Sequence, residues 1–337
     1  MNELKTVARA VLAGGKGILA ADESTPSIKK RLDAVGVKST PESRRVYREL
    51  LFTTPGVEEF IGGVIMFDET IRQKTGDGTP FVRLLADRGI IPGIKVDAGA
   101  KPLALAPDET ITEGLDGLRE RLEEYRELGA RFTKWRAVIK IGDNFPSDYA
   151  IWTNAHALAR FAALSQEAGL VPIVEPEVLM DGDHTIEHAA HVTSRTILAV
   201  FTELHDQRVH LDGMLLKPNM VLAGYAAAVQ PSPDEVADAT LACLRRTVPA
   251  AVPGIVFLSG GQSDERATAN LNAIPGQGPQ AWQISFSYGR ALQAAALKAW
   301  AGEPANVADA QRAFHRRAKL NAAATAGRYK PAMESAA

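Results

Sequence analysis

The chain has 337 residues, 46% of them hydrophobic, and a formal net charge of −2. That is enough apolar side chain for one large core. It leaves no field of either sign for a nucleic acid or a membrane surface, so any anionic ligand must be held by a local cluster of basic side chains. With Cys243 as the one cysteine, no intrachain disulfide can form. No apolar run approaches a membrane span, and the N-terminus lacks a signal-peptide layout. A soluble cytoplasmic protein without nucleic-acid or membrane partners is expected.

Along the chain, AGGKG (13–17) reads as a turn, because it lacks the G-x-x-x-x-G-K-[ST] spacing of a phosphate loop. The strand candidates are GILAAD (17–22), GGVIMFD (62–68), IIPGIKVD (90–97), KWRAVIKI (134–141), VPIVEPE (171–177), LDGMLLK (211–217), GIVFLS (254–259) and WQISFS (282–287). Short apolar runs bounded by Gly or Pro suit parallel strands buried on both faces. Helical periodicity separates them at 112–128, where Leu115, Leu118, Leu122, Tyr125 and Leu128 recur at spacings of three and four before Gly129. It returns at 148–168, at 233–247 around Cys243, and at 306–328.

Eight strand–helix units point to a single (β/α)8 barrel domain over 1–337, with extra terminal helices, and not to an open doubly wound sheet. No G-x-G-x-x-G follows the first strand, which weighs against a dinucleotide site. Residues 329–337 read as a short flexible tail.

In such a barrel the active site lies at the C-terminal ends of the strands. Charged residues collect there. Asp22 ends the first strand; Lys95 and Asp97 share a face of the third; Lys134, Arg136 and Lys140 share a face of the fourth. Glu175 and Glu177 share a face of the fifth, and Lys217 ends the sixth. Charges inside a barrel are tolerated only when paired and hydrogen-bonded. A Lys–Glu–Lys–Asp set suits carbanion chemistry through a Schiff base, in which a neutral lysine adds to a ketone and a carboxyl group moves protons. A second cation keeps the nucleophile unprotonated. On this reasoning Lys95, Lys134, Lys140 and Lys217 all remain candidates for the nucleophile.

The seventh and eighth loops carry a second signal. SGGQS (259–263) offers Ser259, Gly260 and Gly261; Ser287 ends the last strand, and Gly289 and Arg290 open a helix. Barrel phosphate sites are frequently built from these two loops and a helix N-terminus. HTIEH (184–188) matches H-x-x-E-H but follows the acidic DGD (181–183), and reads as the start of a surface helix, not as a zinc site. The basic tract FHRRAK (314–319) reads as a solvated helix face.

These motifs resemble those of the class I fructose-bisphosphate aldolases. The resemblance runs from Leu4 to Tyr329 through GKGILAADES, GGVIMF, GIKVD, KWRAVIKI, IVEPE, LLKPNMV, FLSGGQS and FSYGRALQ, in that order. It implies that Lys217 forms the Schiff base, that Glu175 is the general acid/base for the imine, and that Asp22 handles the C4 hydroxyl proton. Lys134 would stabilise developing charge and keep Lys217 neutral, with Lys95, Arg136 and Glu177 completing the network. Ser259, Gly260, Gly289 and Arg290 would hold the C1 phosphate. Ser24, Ser27, Lys30, Arg31 and Arg44 would lie near the other phosphate. The implied reaction is reversible cleavage of fructose 1,6-bisphosphate to dihydroxyacetone phosphate and glyceraldehyde 3-phosphate, without metal or organic cofactor, in a homotetramer. Pro26 and Asp68 depart from the family's usual glycine and histidine, and the C-terminus lacks the terminal tyrosine of its eukaryotic members.

Overall fold

The computed structural model describes residues 2–335. Eight parallel strands close into a barrel: β1 (Gly17–Ala21), β2 (Ile61–Met66), β3 (Ile91–Lys95), β6 (Phe132–Ile139), β7 (Val171–Val178), β8 (Leu215–Leu216), β9 (Gly254–Phe257) and β10 (Gln283–Tyr288). The two remaining strands, β4 (Ala100–Pro102) and β5 (Thr110–Thr112), form a small antiparallel hairpin after β3. Around the barrel each strand pairs with the next, and β1 closes the ring against β10.

Strand alternation divides the interior into layers. Ile18, Phe132, Val171, Leu215 and Val256 belong to one apolar cluster at the lower end, together with Leu4, Ala8, Val11 and Leu12. The N-terminal helix (Asn2–Ala10) and the turn after it therefore plug that end. Glycines make room for the large rings: a Cβ on Gly93 would sit 2.2 Å from the Phe132 ring, and one on Gly17 would sit 2.3 Å from Phe286. Moving up β6 and β7 by two residues replaces apolar side chains with charged ones, so that Phe132 is followed by Lys134 and Arg136, and Ile173 by Glu175 and Glu177. Outside the strands, Trp135 stacks on Phe161 of helix Asp148–Glu167 at 5.6 Å, within the larger core between barrel and helices.

Three stretches differ from the sequence reading. The helix expected over 112–128 begins only at Leu118 and runs to Glu127. Thr112 instead belongs to the hairpin, and Gly114 and Gly117 take positive φ of 126° and 63°, which ends any continuous helix. In the run 211–217, Leu211–Gly213 form a 3-10 turn and only Leu215–Leu216 pair as strand. Of the segment 329–337 expected as a loose tail, residues 329–334 pack against the barrel's helices: Tyr329 is buried, Pro331–Glu334 form a 3-10 turn, and Glu334 pairs with the buried Arg317 at 2.6 Å, while 336–337 lie outside the described residues.

Candidate active site

Register builds the site. Lys95 on β3 lies directly beside Lys134 on β6, and Arg136 lies beside Glu175 on β7. Lys217 follows β8, its amide donating to Val174 O on β7 at 2.8 Å. Two adjacent lysines repel unless a carboxylate separates them. Asp97 does so, reaching Lys95 Nζ at 2.6 Å and Lys134 Nζ at 3.9 Å. Its Oδ2 also accepts the Arg136 amide at 3.2 Å.

Lys134 is the hub. Its ammonium contacts Asp22 at 2.6 Å and Glu175 Oε2 at 3.4 Å, while Lys217 Nζ contacts the other oxygen of Glu175 at 3.2 Å. Lys134, Glu175 and Lys217 are 3%, 3% and 4% exposed. Burial alone would strip the proton from Lys134, but the charges of Asp22, Glu175 and Asp97 outweigh it and hold the group above the ordinary lysine range. Burial likewise works against the Asp22 carboxylate. Lys134 and Lys217 prevail, and Asp22 stays ionised well below the usual carboxylate value.

This geometry separates the four lysines. Lys140 is half-exposed beyond the end of β6 at Ile139, its nearest carboxylate Asp108 at 3.9 Å and its Nζ 5.0 Å from the Phe145 ring centre. Lys95 is bound by both the side chain and the carbonyl of Asp97. Lys134 is locked as an ammonium among three carboxylates and cannot act as a nucleophile in that state. Lys217 has one carboxylate partner, placed to relay a proton.

A cavity of about 520 Å³ opens over this cluster. It is lined by Asp22, Lys95, Lys134, Arg136, Glu175, Glu177 and Lys217, with Ser24, Ser27 and Arg31 on one side and Ser259, Gly260, Gly261, Ser287, Gly289 and Arg290 on another. Gly260 and Gly261 have φ of 59° and 94°, a turn that side-chain-bearing residues rarely adopt. Ser287 Oγ is buried with no hydrogen-bond partner, and Arg290 has no ion-pair partner, among the described residues. Glu177 pairs with Arg136, and the Ser24 and Ser27 hydroxyls lie 3.1 Å apart.

Lys30 and Arg44 are not brought to this cavity. Lys30 faces solvent on helix Thr25–Asp33. Arg44 lies on helix Pro41–Phe52 with its guanidinium clasping Glu69 through two hydrogen bonds, at 2.7 and 2.6 Å. The reading also missed Glu23 and Tyr225, which line the cavity. Glu23 forms ion pairs with Arg31 and the buried Arg48, and Gln293 Nε2 donates to it at 3.0 Å. It lies two residues past the end of β1, next to Asp22 and off the inward parity of that strand, so alternation hides it. HTIEH opens helix Ile186–Asp206 with Thr185 as its N-cap. Among the described residues no three His, Cys, Asp or Glu side chains group as a metal site would require.

Comparison with known proteins gives a concordant result. The family model described as fructose-bisphosphate aldolase class-I matches residues 3–337. A protein of Xanthomonas campestris named probable fructose-bisphosphate aldolase class 1 is 57% identical over 98% of this chain and 99% of its own. Mouse fructose-bisphosphate aldolase C is 53% identical over 97% of this chain and 91% of its own. A solved structure of the Plasmodium falciparum fructose-bisphosphate aldolase, in complex with TRAP and a small-molecule inhibitor, superposes with a TM-score of 0.96 at 50% identity, covering 98% of this chain and 95% of that one.

Proposed function

The chain belongs to the class I fructose-bisphosphate aldolase family, and from that premise we propose that Lys217 is the nucleophile of a reversible cleavage of fructose 1,6-bisphosphate. The observation that carries the assignment is the contact of Lys217 Nζ with Glu175 at 3.2 Å, opposite a permanently charged Lys134. The neutral amine of Lys217 adds to the C2 carbonyl, and Glu175 donates the proton that lets water leave, generating the iminium ion. Asp22 then takes the C4 hydroxyl proton. The C3–C4 bond breaks, its electron pair flows into the iminium to give an enamine, and glyceraldehyde 3-phosphate departs. Protonation at C3 and hydrolysis of the imine, again through Glu175, release dihydroxyacetone phosphate and restore the amine.

Lys134 stabilises the charge that passes among Asp22, Glu175 and the substrate oxygens. Lys95, Arg136 and Glu177 hold the sugar hydroxyls and the charge network. The Ser259–Gly261 loop with Ser287, Gly289 and Arg290 takes the C1 phosphate. Ser24, Ser27 and Arg31 face the other end of the substrate. The iminium is itself the electron sink, so the reaction needs no metal, and activity is expected to survive exhaustive chelation. The enzyme acts in the cytoplasm as a homotetramer. Exposed Tyr149 and Trp152 on helix Asp148–Glu167, and Leu198 on helix Ile186–Asp206, supply apolar surface for that association. Sedimentation measures the oligomeric state directly.

Borohydride reduction in the presence of dihydroxyacetone phosphate tests the nucleophile. The adduct is expected on Lys217 by peptide mapping, with complete loss of activity. An adduct on Lys95 or Lys134, or none at all, would overturn the assignment.

A further inference from the structure

Resting on the assignment of the Ser259–Gly261 loop to a substrate phosphate, we propose that Tyr225 is a positioning residue for that phosphate, its hydroxyl bracing the Gly260–Gly261 backbone so that the loop's amides stay turned to an anion. Tyr225 lies in the segment after β8, and its backbone is fixed before its side chain acts. The Tyr225 amide donates to Met180 O at 2.9 Å, flanked by bonds from Gly224 to His184 O and from Ala226 to Gly182 O, each 2.8 Å. The crossing is close: a Cβ on Gly224 would lie 2.3 Å from Gly182 O.

From this anchored root the side chain spans to the β9 loop, where its hydroxyl donates to Gly260 O at 2.8 Å. The ring lies against Gly261, since a Cβ there would meet Tyr225 Cε2 at 3.5 Å and Arg290 Nη2 at 3.4 Å. Partial burial pushes the hydroxyl up to about 12, so it remains a donor at neutral pH. Carbonyl and amide of one trans peptide point in opposite directions, and holding the Gly260 carbonyl therefore sets the Gly261 N–H. Two consecutive glycines at positive φ make this peptide cheap to rotate when nothing holds it. Among the described residues neither the Gly260 nor the Gly261 amide donates to a protein acceptor, leaving both available to a ligand oxygen.

Steady-state cleavage of fructose 1,6-bisphosphate, with competitive inhibition by inorganic phosphate as a second readout, tests the brace in Tyr225→Phe, Ser259→Ala and the double variant. Tyr225→Phe is expected to raise KM and the phosphate inhibition constant together by roughly three- to tenfold, the loss expected of one hydrogen bond, with kcat within about twofold. Ser259→Ala is expected to raise both constants as well, and the double variant to lose less than the product of the two. If Ser259→Ala raises both constants and Tyr225→Phe raises neither, the brace is refuted and the phosphate loop stands. If neither variant changes them, the loop assignment falls and the brace falls with it. A Tyr225→Phe defect confined to kcat or to the yield of folded protein also overturns the proposal.

Discussion

Replacing Lys134 with Met keeps an unbranched apolar stem and deletes the charge at the centre of the cluster. Contacts of 3.2 and 3.4 Å to opposite oxygens of Glu175 separate the Lys217 and Lys134 nitrogens by on the order of 6 Å, where like charges at an effective dielectric of about 20 interact by roughly 3 kcal/mol. Without Lys134 that field is gone, and nothing opposes the build-up of positive charge beside Glu175. An interaction of that size corresponds to about a hundredfold in rate. The assay is the rate of borohydride-trapped adduct formation with dihydroxyacetone phosphate after rapid mixing, in Lys134→Met and in Lys134→Arg, which keeps the charge. Lys134→Met is expected to trap about a hundredfold more slowly, and Lys134→Arg to recover part of that loss. A Lys134→Met rate within about twofold of the unaltered protein, or an equal deficit in both variants, refutes the reasoning.

Two further outcomes follow from the same geometry. Asp22 is held ionised below its ordinary value, so its pairing stabilises the fold above the unfolded carboxylate's value of about 4 and is lost as pH falls through its lower folded value. Asp22→Asn is therefore expected to be less stable at neutral pH, with a gap from the unaltered protein that narrows below about pH 4; a gap that stays constant on acidification, followed by thermal melts, contradicts the pairing. Gly93→Ala drives a methyl group into the Phe132 ring, at 2.2 Å, and should cost about 1–3 kcal/mol in urea denaturation. Phe132→Leu in the same chain should recover part of that loss, and additive penalties would show that the two sites do not touch.

Much of this site was legible because a barrel strand has a period of two. Once Glu175 and Glu177 are read as inward, Ile173 and Val171 must lie below them, and the structure has that order. Period alone gives the face and not the height, which is why Lys140 shared the parity of Lys134 and Arg136 yet lies beyond the strand, beside Phe145. Arg44 and Lys30 stand outside the cavity for a different reason: they sit on helices, where direction toward the mouth depends on packing, and Arg44 is already claimed by Glu69. Tyr225 carried no pattern, because its place follows from hydrogen bonds between loops far apart in the chain, to Met180 on one side and Gly260 on the other. The choice among lysines lay outside the sequence's physics too, since it depends on how many carboxylates each amine touches across strands.

The closing pair of the barrel has a consequence for how the chain is made. Gly17–Ala21 is the first barrel strand to emerge and pairs on one side with Ile61–Met66, but its other edge meets Gln283–Tyr288, the last of the eight. Synthesised from the N-terminus, the nascent chain carries that open edge until Gln283–Tyr288 has emerged, and the charged cluster cannot be completed before Lys217 is made. Unpaired edges recruit foreign strands. A growing chain of this architecture thus exposes one strand edge until its last barrel strand exists, and truncations before Gln283 are expected to yield aggregate in place of a smaller working enzyme.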